Sequence, residues 1–95
     1  MKEKVIETKL VKKIKATGGL ALKLSCPGFD GMPDRLVLLP GGVIAFVELK
    51  APSKKPRPLQ LARHKLLRGL GFPVYIIDDE PQIEMLLTKI GGDAK

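Results

Sequence analysis

Ninety-five residues, 44% of them hydrophobic, fit one compact domain over 1–95 and leave no room for a separate substrate domain. Seventeen Lys and Arg against ten Asp and Glu give a formal net charge of +7 and a pI near 9.8, which favours a polyanionic partner through counterion release and long-range attraction. The one cysteine, Cys26, excludes an intramolecular disulfide or a zinc site built mainly of thiolates.

In chain order, residues 3–17 are predicted to form a helix with Ile6, Leu10, Val11 and Ile14 on its apolar face, ended by Gly18-Gly19. Leu20 to Cys26 has the pattern of a first strand, with Cys26 expected to be an ordinary buried thiol. Pro27 to Gly31 is a turn, and Pro33–Leu39 and Val43–Leu49 are two further strands joined around Gly41-Gly42. These two are apolar on both faces, as suits central strands covered by helices on either side. Beyond the loop 51–57, residues 58–70 form a second helix, with Pro58 in its first turn and Gly71 just past its end. Phe72 to Asp78 is a fourth strand. A last helix runs from Pro81 to Ile90, and 91–95 is expected to be a flexible tail. The Lys-rich N-terminus lacks a continuous apolar stretch, so neither secretion nor membrane spanning is indicated and the cytoplasm is expected.

Chemistry concentrates near the ends of the two central strands, where Gly31-Met32-Pro33-Asp34-Arg35 is followed by Glu48-Leu49-Lys50. Magnesium prefers hard oxygen ligands and keeps several waters, so Asp34, Glu48 and the backbone carbonyl of Leu49 can form a partial shell open to water and phosphate. Strand alternation brings Lys50 out on the face of Glu48. There it can orient or deprotonate an attacking water, or stabilise charge on the phosphate oxygens. The bland alternative makes Asp34 a turn residue and Glu48 with Lys50 a surface pair; the apolar neighbours Phe46, Val47 and Leu49 argue instead for a buried strand. Register adds a condition. A two-residue turn at Gly41-Gly42 would set Asp34 opposite Leu49, facing away from Glu48 and Lys50, so a working site requires an odd-length loop such as Pro40-Gly41-Gly42, or a bulge.

The order αβββαβα, with Pro33-Asp34 and Glu48-Leu49-Lys50 on the second and third strands, resembles the PD-(D/E)xK nuclease superfamily, and within it the stand-alone VRR-NUC domains of bacterial viruses. The likeness extends through Phe46-Val47-Glu48-Leu49-Lys50-Ala51-Pro52, Pro58-Leu59-Gln60 and Leu70-Gly71-Phe72-Pro73-Val74. It implies a restriction-endonuclease-like α/β fold with a four-stranded mixed sheet flanked by helices. It also implies a DNA endonuclease dependent on Mg²⁺ or Mn²⁺, working as a homodimer on branched DNA such as four-way junctions, in the host bacterial cytoplasm if the chain is viral. A flap or single-strand nuclease and a non-catalytic DNA-binding module are the rival functions.

Further site residues are expected around this core. Glu3 and Glu7 both fall on the apolar face of the first helix, an unusual place for acids; Glu7, a turn farther from the fraying end, matches the helical glutamate of the family, with Glu3 as the alternative. Gln60 matches a recurring VRR-NUC polar position, or is a capping glutamine. His64, one turn later, is the only histidine and is assigned no catalysis. Lys54, Lys55 and Arg57 form a basic loop for phosphate contact, extended by Arg63, Lys65 and Arg68, while Arg35 serves either phosphate contact or a pair with an acid. With no Trp, one Tyr and three Phe, the chain has no platform for stacking bases, so backbone recognition is expected. Apolar residues for a dimer interface are sought in Phe72–Ile77 and Ile83–Ile90.

Overall fold

The computed structural model describes residues 2–91, and the last four residues of the expected tail lie outside the described residues. Seven elements follow one another: α1 (Glu3–Ala16), β1 (Leu20–Lys23), β2 (Arg35–Leu39), β3 (Val43–Leu49), α2 (Pro58–Gly69), β4 (Val74–Ile77) and α3 (Pro81–Gly91). Gly91 therefore closes α3 instead of opening a tail. The strands form one mixed sheet in the order β1-β2-β3-β4, antiparallel across the first two pairs and parallel between β3 and β4. Helix α2 is the crossover that a parallel pair needs.

Alternation along β3 sends Ala45, Val47 and Leu49 to one face of the sheet. There they join Val37 and Leu39 of β2, Ile77 of β4, Ile6, Leu10 and Ile14 of α1, and Ile83 and Leu86 of α3 in a continuous buried core. This face is closed by α1 and α3. Two ion pairs tie α1 to this side, Lys9 with Glu80 just before α3 at 3.0 Å and Lys13 with Glu84 of α3.

Coverage of the opposite face corrects an expectation. Leu20, Leu22 and Ile44 all remain exposed, because α2 lies over the β3–β4 side and leaves the β1–β2 side of that face open. Two strand boundaries also move. Strand β1 stops at Lys23, after which Leu24 N–H donates to Asp34 O at 2.9 Å and the chain swings into a loop; Cys26, within it, is half-buried and not fully enclosed. Asp34 stands just before β2, so Pro33 and Asp34 lead into the strand without belonging to it.

The three-residue connection Pro40-Gly41-Gly42 is the odd-length loop that a working site requires. Gly41 and Gly42 have φ of 88° and 78°, which residues with a Cβ rarely adopt. The resulting register pairs Leu39 with Val43 and Arg35 with Val47. One further step along that ladder sets Asp34 beside Glu48.

Candidate active site

Asp34, Glu48 and Lys50 converge on the α2 face at the end of β3. Asp34 Oδ2 accepts a 2.8 Å hydrogen bond from Leu49 N–H, which pins the carboxylate to β3 from across the strand pair. Glu48 is only 1% exposed, so the surface-pair alternative fails. Lys50 Nζ lies 3.4 Å from Glu48 Oε2.

Helix α2 supplies the roof. Gln60, itself buried, uses both ends of its amide: Oε1 accepts from Arg57 N–H at 2.9 Å, capping the helix, and Nε2 donates to Glu48 Oε2 at 2.7 Å. Capping and site contact, offered by the sequence as alternatives, are one arrangement. His64 follows four residues later on the same helical face, fully buried, with Nε2 3.8 Å from Glu48 Oε1.

Gly31 explains how the Asp34 loop reaches this helix. Its φ is +90°, and an added Cβ would stand 2.9 Å from Leu59 Cγ and 3.1 Å from Arg63 Cγ. The backbone thus lies flat against α2. Arg63 fastens the loop by donating from Nε to Asp30 O at 2.7 Å and stacking 3.8 Å above the Phe29 ring.

The electrostatics follow from burial. Desolvation, then the charge of Asp34, pushes the Glu48 carboxyl up to about 7 against the opposing pull of Lys50, and Glu3 adds a smaller push. His64 is held below its ordinary value, chiefly by burial and then by the Arg68 charge. A carboxyl on the edge of protonation beside a second carboxylate is a site that gains from a cation.

A divalent metal fits this donor set. Asp34 and Glu48 present oxygens on one face, and no cluster of three or more His, Cys, Asp and Glu able to hold a metal occurs among the described residues. Two carboxylates with most of the shell left to water suit a hard ion such as Mg²⁺ better than a closed zinc centre.

Other expected site residues sit apart. Glu7 does not join Glu48: its Oε2 accepts 2.8 and 3.2 Å hydrogen bonds from Arg35, which also donates to Ala21 O at 3.0 Å. Of the two helical acids, Glu3 is the one whose charge reaches Glu48. Arg35, on the core-side face of β2, takes the ion-pair role that the sequence left open beside phosphate contact. Lys54, Lys55 and Arg57 are exposed in the loop between β3 and α2, directly downstream of Lys50. Sequence reasoning left His64 without a role. Its spacing from Gln60 was the available signal, since residues four apart on a helix face the same neighbour.

No protein-family model matches the chain. It is 48% identical over 80 residues to "Putative nuclease p44" of Acyrthosiphon pisum secondary endosymbiont phage 1, a match covering 84% of this chain and 86% of that protein. A solved structure described as a VRR_NUC domain superposes with a TM-score of 0.84 at 40% identity, covering 90% of this chain and 92% of the other. Likeness at this level over nearly the whole of both chains, together with the Asp34, Glu48 and Lys50 constellation on the expected fold, makes the chain a member of the VRR-NUC nuclease family.

Proposed function

We propose that the protein is a metal-dependent endonuclease that hydrolyses DNA phosphodiesters, selective for branched substrates such as four-way junctions. The observation that carries this is the placement of buried Glu48 beside Asp34 and Lys50, with its carboxylate gripped by Gln60. Asp34, Glu48 and the Leu49 carbonyl would hold Mg²⁺ or Mn²⁺, whose chemistry when bound is to acidify water and neutralise phosphate charge.

The chain's own groups do the rest. Asp34 and Glu48 draw the phosphate side of the substrate toward β3 only through a cation, since two carboxylates repel a bare phosphate. Lys50, with three donors and no acceptor, orients a water at its Nζ or meets the growing charge on the phosphate oxygens. Gln60 holds Oε2 of Glu48 in place and so limits the reorganisation needed on binding.

Two basic surfaces support DNA as substrate. Lys54, Lys55 and Arg57 flank the site in sequence, while Lys4, Lys12 and Lys15 of α1 with Lys23 and Arg35 of the sheet line a groove of about 570 Å³. No helix among the described residues is long and apolar enough to cross a membrane.

A homodimer is part of this reading, because opposed cuts across a junction call for two metal centres related by a twofold axis. Within the expected interface in β4 and α3, Val74, Ile77, Ile83 and Leu86 are core residues, while Phe72 and Met85 stay exposed. Leu20, Leu22 and Ile44 on the open half of the sheet, with Phe72 packed edge-on to Phe46, offer further apolar surface. Incubating labelled linear, flap and four-way DNA with Mg²⁺, Mn²⁺ or chelator tests the activity, and sedimentation tests the assembly. The reading expects metal-dependent paired nicks across the four-way junction by a dimer. Cutting that persists in chelator refutes the mechanism, and a monomer that cuts flaps but spares junctions refutes the substrate choice.

A further inference from the structure

Among the described residues, the buried side-chain polar atoms without a hydrogen-bond partner are three: Glu48 Oε1, His64 Nδ1 and His64 Nε2. All three lie in one place. Leaving a buried polar atom unpaired costs on the order of 1–3 kcal/mol, so three together in a 95-residue chain mark a built feature of the fold. Two of them, Glu48 Oε1 and His64 Nε2, are mutually complementary. A neutral imidazole carrying its proton on Nε2 is a donor toward Glu48, and Oε1 of an ionised Glu48 is an acceptor.

We infer that His64 is a positioning residue for Glu48: its Nε2–H donates to Oε1 while Gln60 Nε2 holds Oε2, so that two side chains one turn apart on α2 grip the carboxylate by both oxygens. The inference rests on the metal-dependent reading above, because its consequence is a Glu48 fixed in plane before a cation arrives. The present Nε2 to Oε1 separation of 3.8 Å needs to close by only about 1 Å to make an ordinary bond, a change within reach of small rotations of the two side chains. Each carboxylate oxygen has a second lone pair, so neither contact prevents ligation. Metal-binding carboxylates are routinely held this way, and loss of such a partner typically costs about 10–100-fold in metal affinity or activity.

Gln60 alone holds one oxygen and leaves the carboxylate freedom to turn about its Cγ–Cδ bond. A second donor on the other oxygen stops that rotation. The same geometry explains why an imidazole with no solvent contact is tolerated on the inner face of α2, where a leucine of similar bulk would pack without unpaired atoms.

The single histidine makes the test direct, since every imidazole signal in the protein is that of His64. Long-range ¹H–¹⁵N spectra of the native protein with bound Mg²⁺ should show a neutral ring protonated on Nε2, with that proton protected from exchange. Calorimetric titration with Mn²⁺ should show His64→Leu binding roughly 10-fold more weakly without a lower melting temperature, and His64→Gln, which restores an amide donor near the Nε2 position, recovering most of the affinity. A ring protonated on Nδ1, or a folded His64→Leu variant that binds Mn²⁺ as tightly as the native chain, overturns the inference while leaving the nuclease reading in place. A native chain that binds no Mn²⁺ at all overturns that reading, and the inference falls with it.

Discussion

On β3, Ala45, Val47 and Leu49 enter a core that α1 and α3 close completely, while Phe46 and Glu48, one residue away in each case, face α2 and a surface left half open. On β3 the first face is wholly apolar and stabilises the fold. The second carries a carboxyl pushed up to about 7 by burial and the neighbouring Asp34 charge, three unpaired polar atoms and exposed leucines, each of which costs stability. Because side chains alternate with a period of two, the same strand holds the protein together with one set of residues and houses the chemistry with the other.

Neighbouring substitutions on one strand should therefore separate activity from stability. Asp34→Ala or Glu48→Ala should lower cleavage by about 10³-fold or more, since the metal and the charges it neutralises are lost, while circular dichroism stays native. Lys50→Ala should impair cleavage more than metal affinity, because an ammonium contributes no ligating oxygen. Cleavage by either carboxylate variant at the native rate would show that the α2 face is not the active one. Leu49→Ala, one position from Glu48 and pointing the other way, should instead cost about 2–5 kcal/mol of folding stability, read as a fall in melting temperature of roughly 4–8 °C per kcal/mol. Its folded fraction should still bind metal. A stable Leu49→Ala protein would break the division between the faces.

Acid-base behaviour sharpens the contrast further. In the metal-free protein, Glu48 is pushed up to about 7 when folded against its ordinary 4.5 when unfolded, so between those values the folded state holds the extra proton. Its contribution to stability is full below about 4.5 and is lost as pH rises to about 7. His64, lowered from 6.5, acts in the opposite direction, with stability gained as pH rises toward 6.5. The difference between the native chain and Glu48→Gln isolates the carboxyl. Denaturation in chelator should show that difference shifting in favour of Glu48→Gln across the window and becoming flat above it. A difference independent of pH would mean that Glu48 ionises freely when folded.

Much of this organisation was legible in the chain. The near-continuous apolar run of Val43–Leu49, the helical stripe Ile6, Leu10 and Ile14, and the crossover order all follow from local residue spacing, and the need for an odd loop at Pro40-Gly41-Gly42 followed from asking Asp34 and Glu48 to share a face. What escaped was set by distant partners. Strand β1 ends early because Arg63 takes the Asp30 carbonyl and the Phe29 ring into a loop against α2, and those residues stand more than thirty positions apart in the chain. Glu7 was expected at the active site because the helix alone does not show Arg35. A signal was present even so: alternation puts Arg35 on the same buried-side face as Val37 and Leu39, where a guanidinium requires an acid, and Glu7 meets it. His64 illustrates the converse, a side chain of ordinary type whose burial arises only when α2 settles on β3.

The smallest effect expected concerns the route of DNA away from the site, and here two faces of one helix form the comparison. Lys12 and Lys15 line the groove with Lys23 and Arg35, whereas Lys9 and Lys13 pair with Glu80 and Glu84 toward α3. From Lys4 to Lys15 the helix rises about 16 Å, a span of roughly five base-pair steps along a DNA axis. Replacing Lys12 and Lys15 together by Ala removes two positive charges, and so does replacing Lys9 and Lys13, so long-range attraction falls by the same amount in both. Only lost phosphate contacts change the salt dependence. The first pair should flatten the slope of log K against log salt by about 1.8 on duplex DNA, and the second should leave it nearly unchanged. Fluorescence anisotropy between 50 and 200 mM salt, conditions under which such contacts are ordinarily resolved, separates the two. Equal slopes for both variants would leave α1 a solvated face and confine DNA to the loop of Lys54, Lys55 and Arg57.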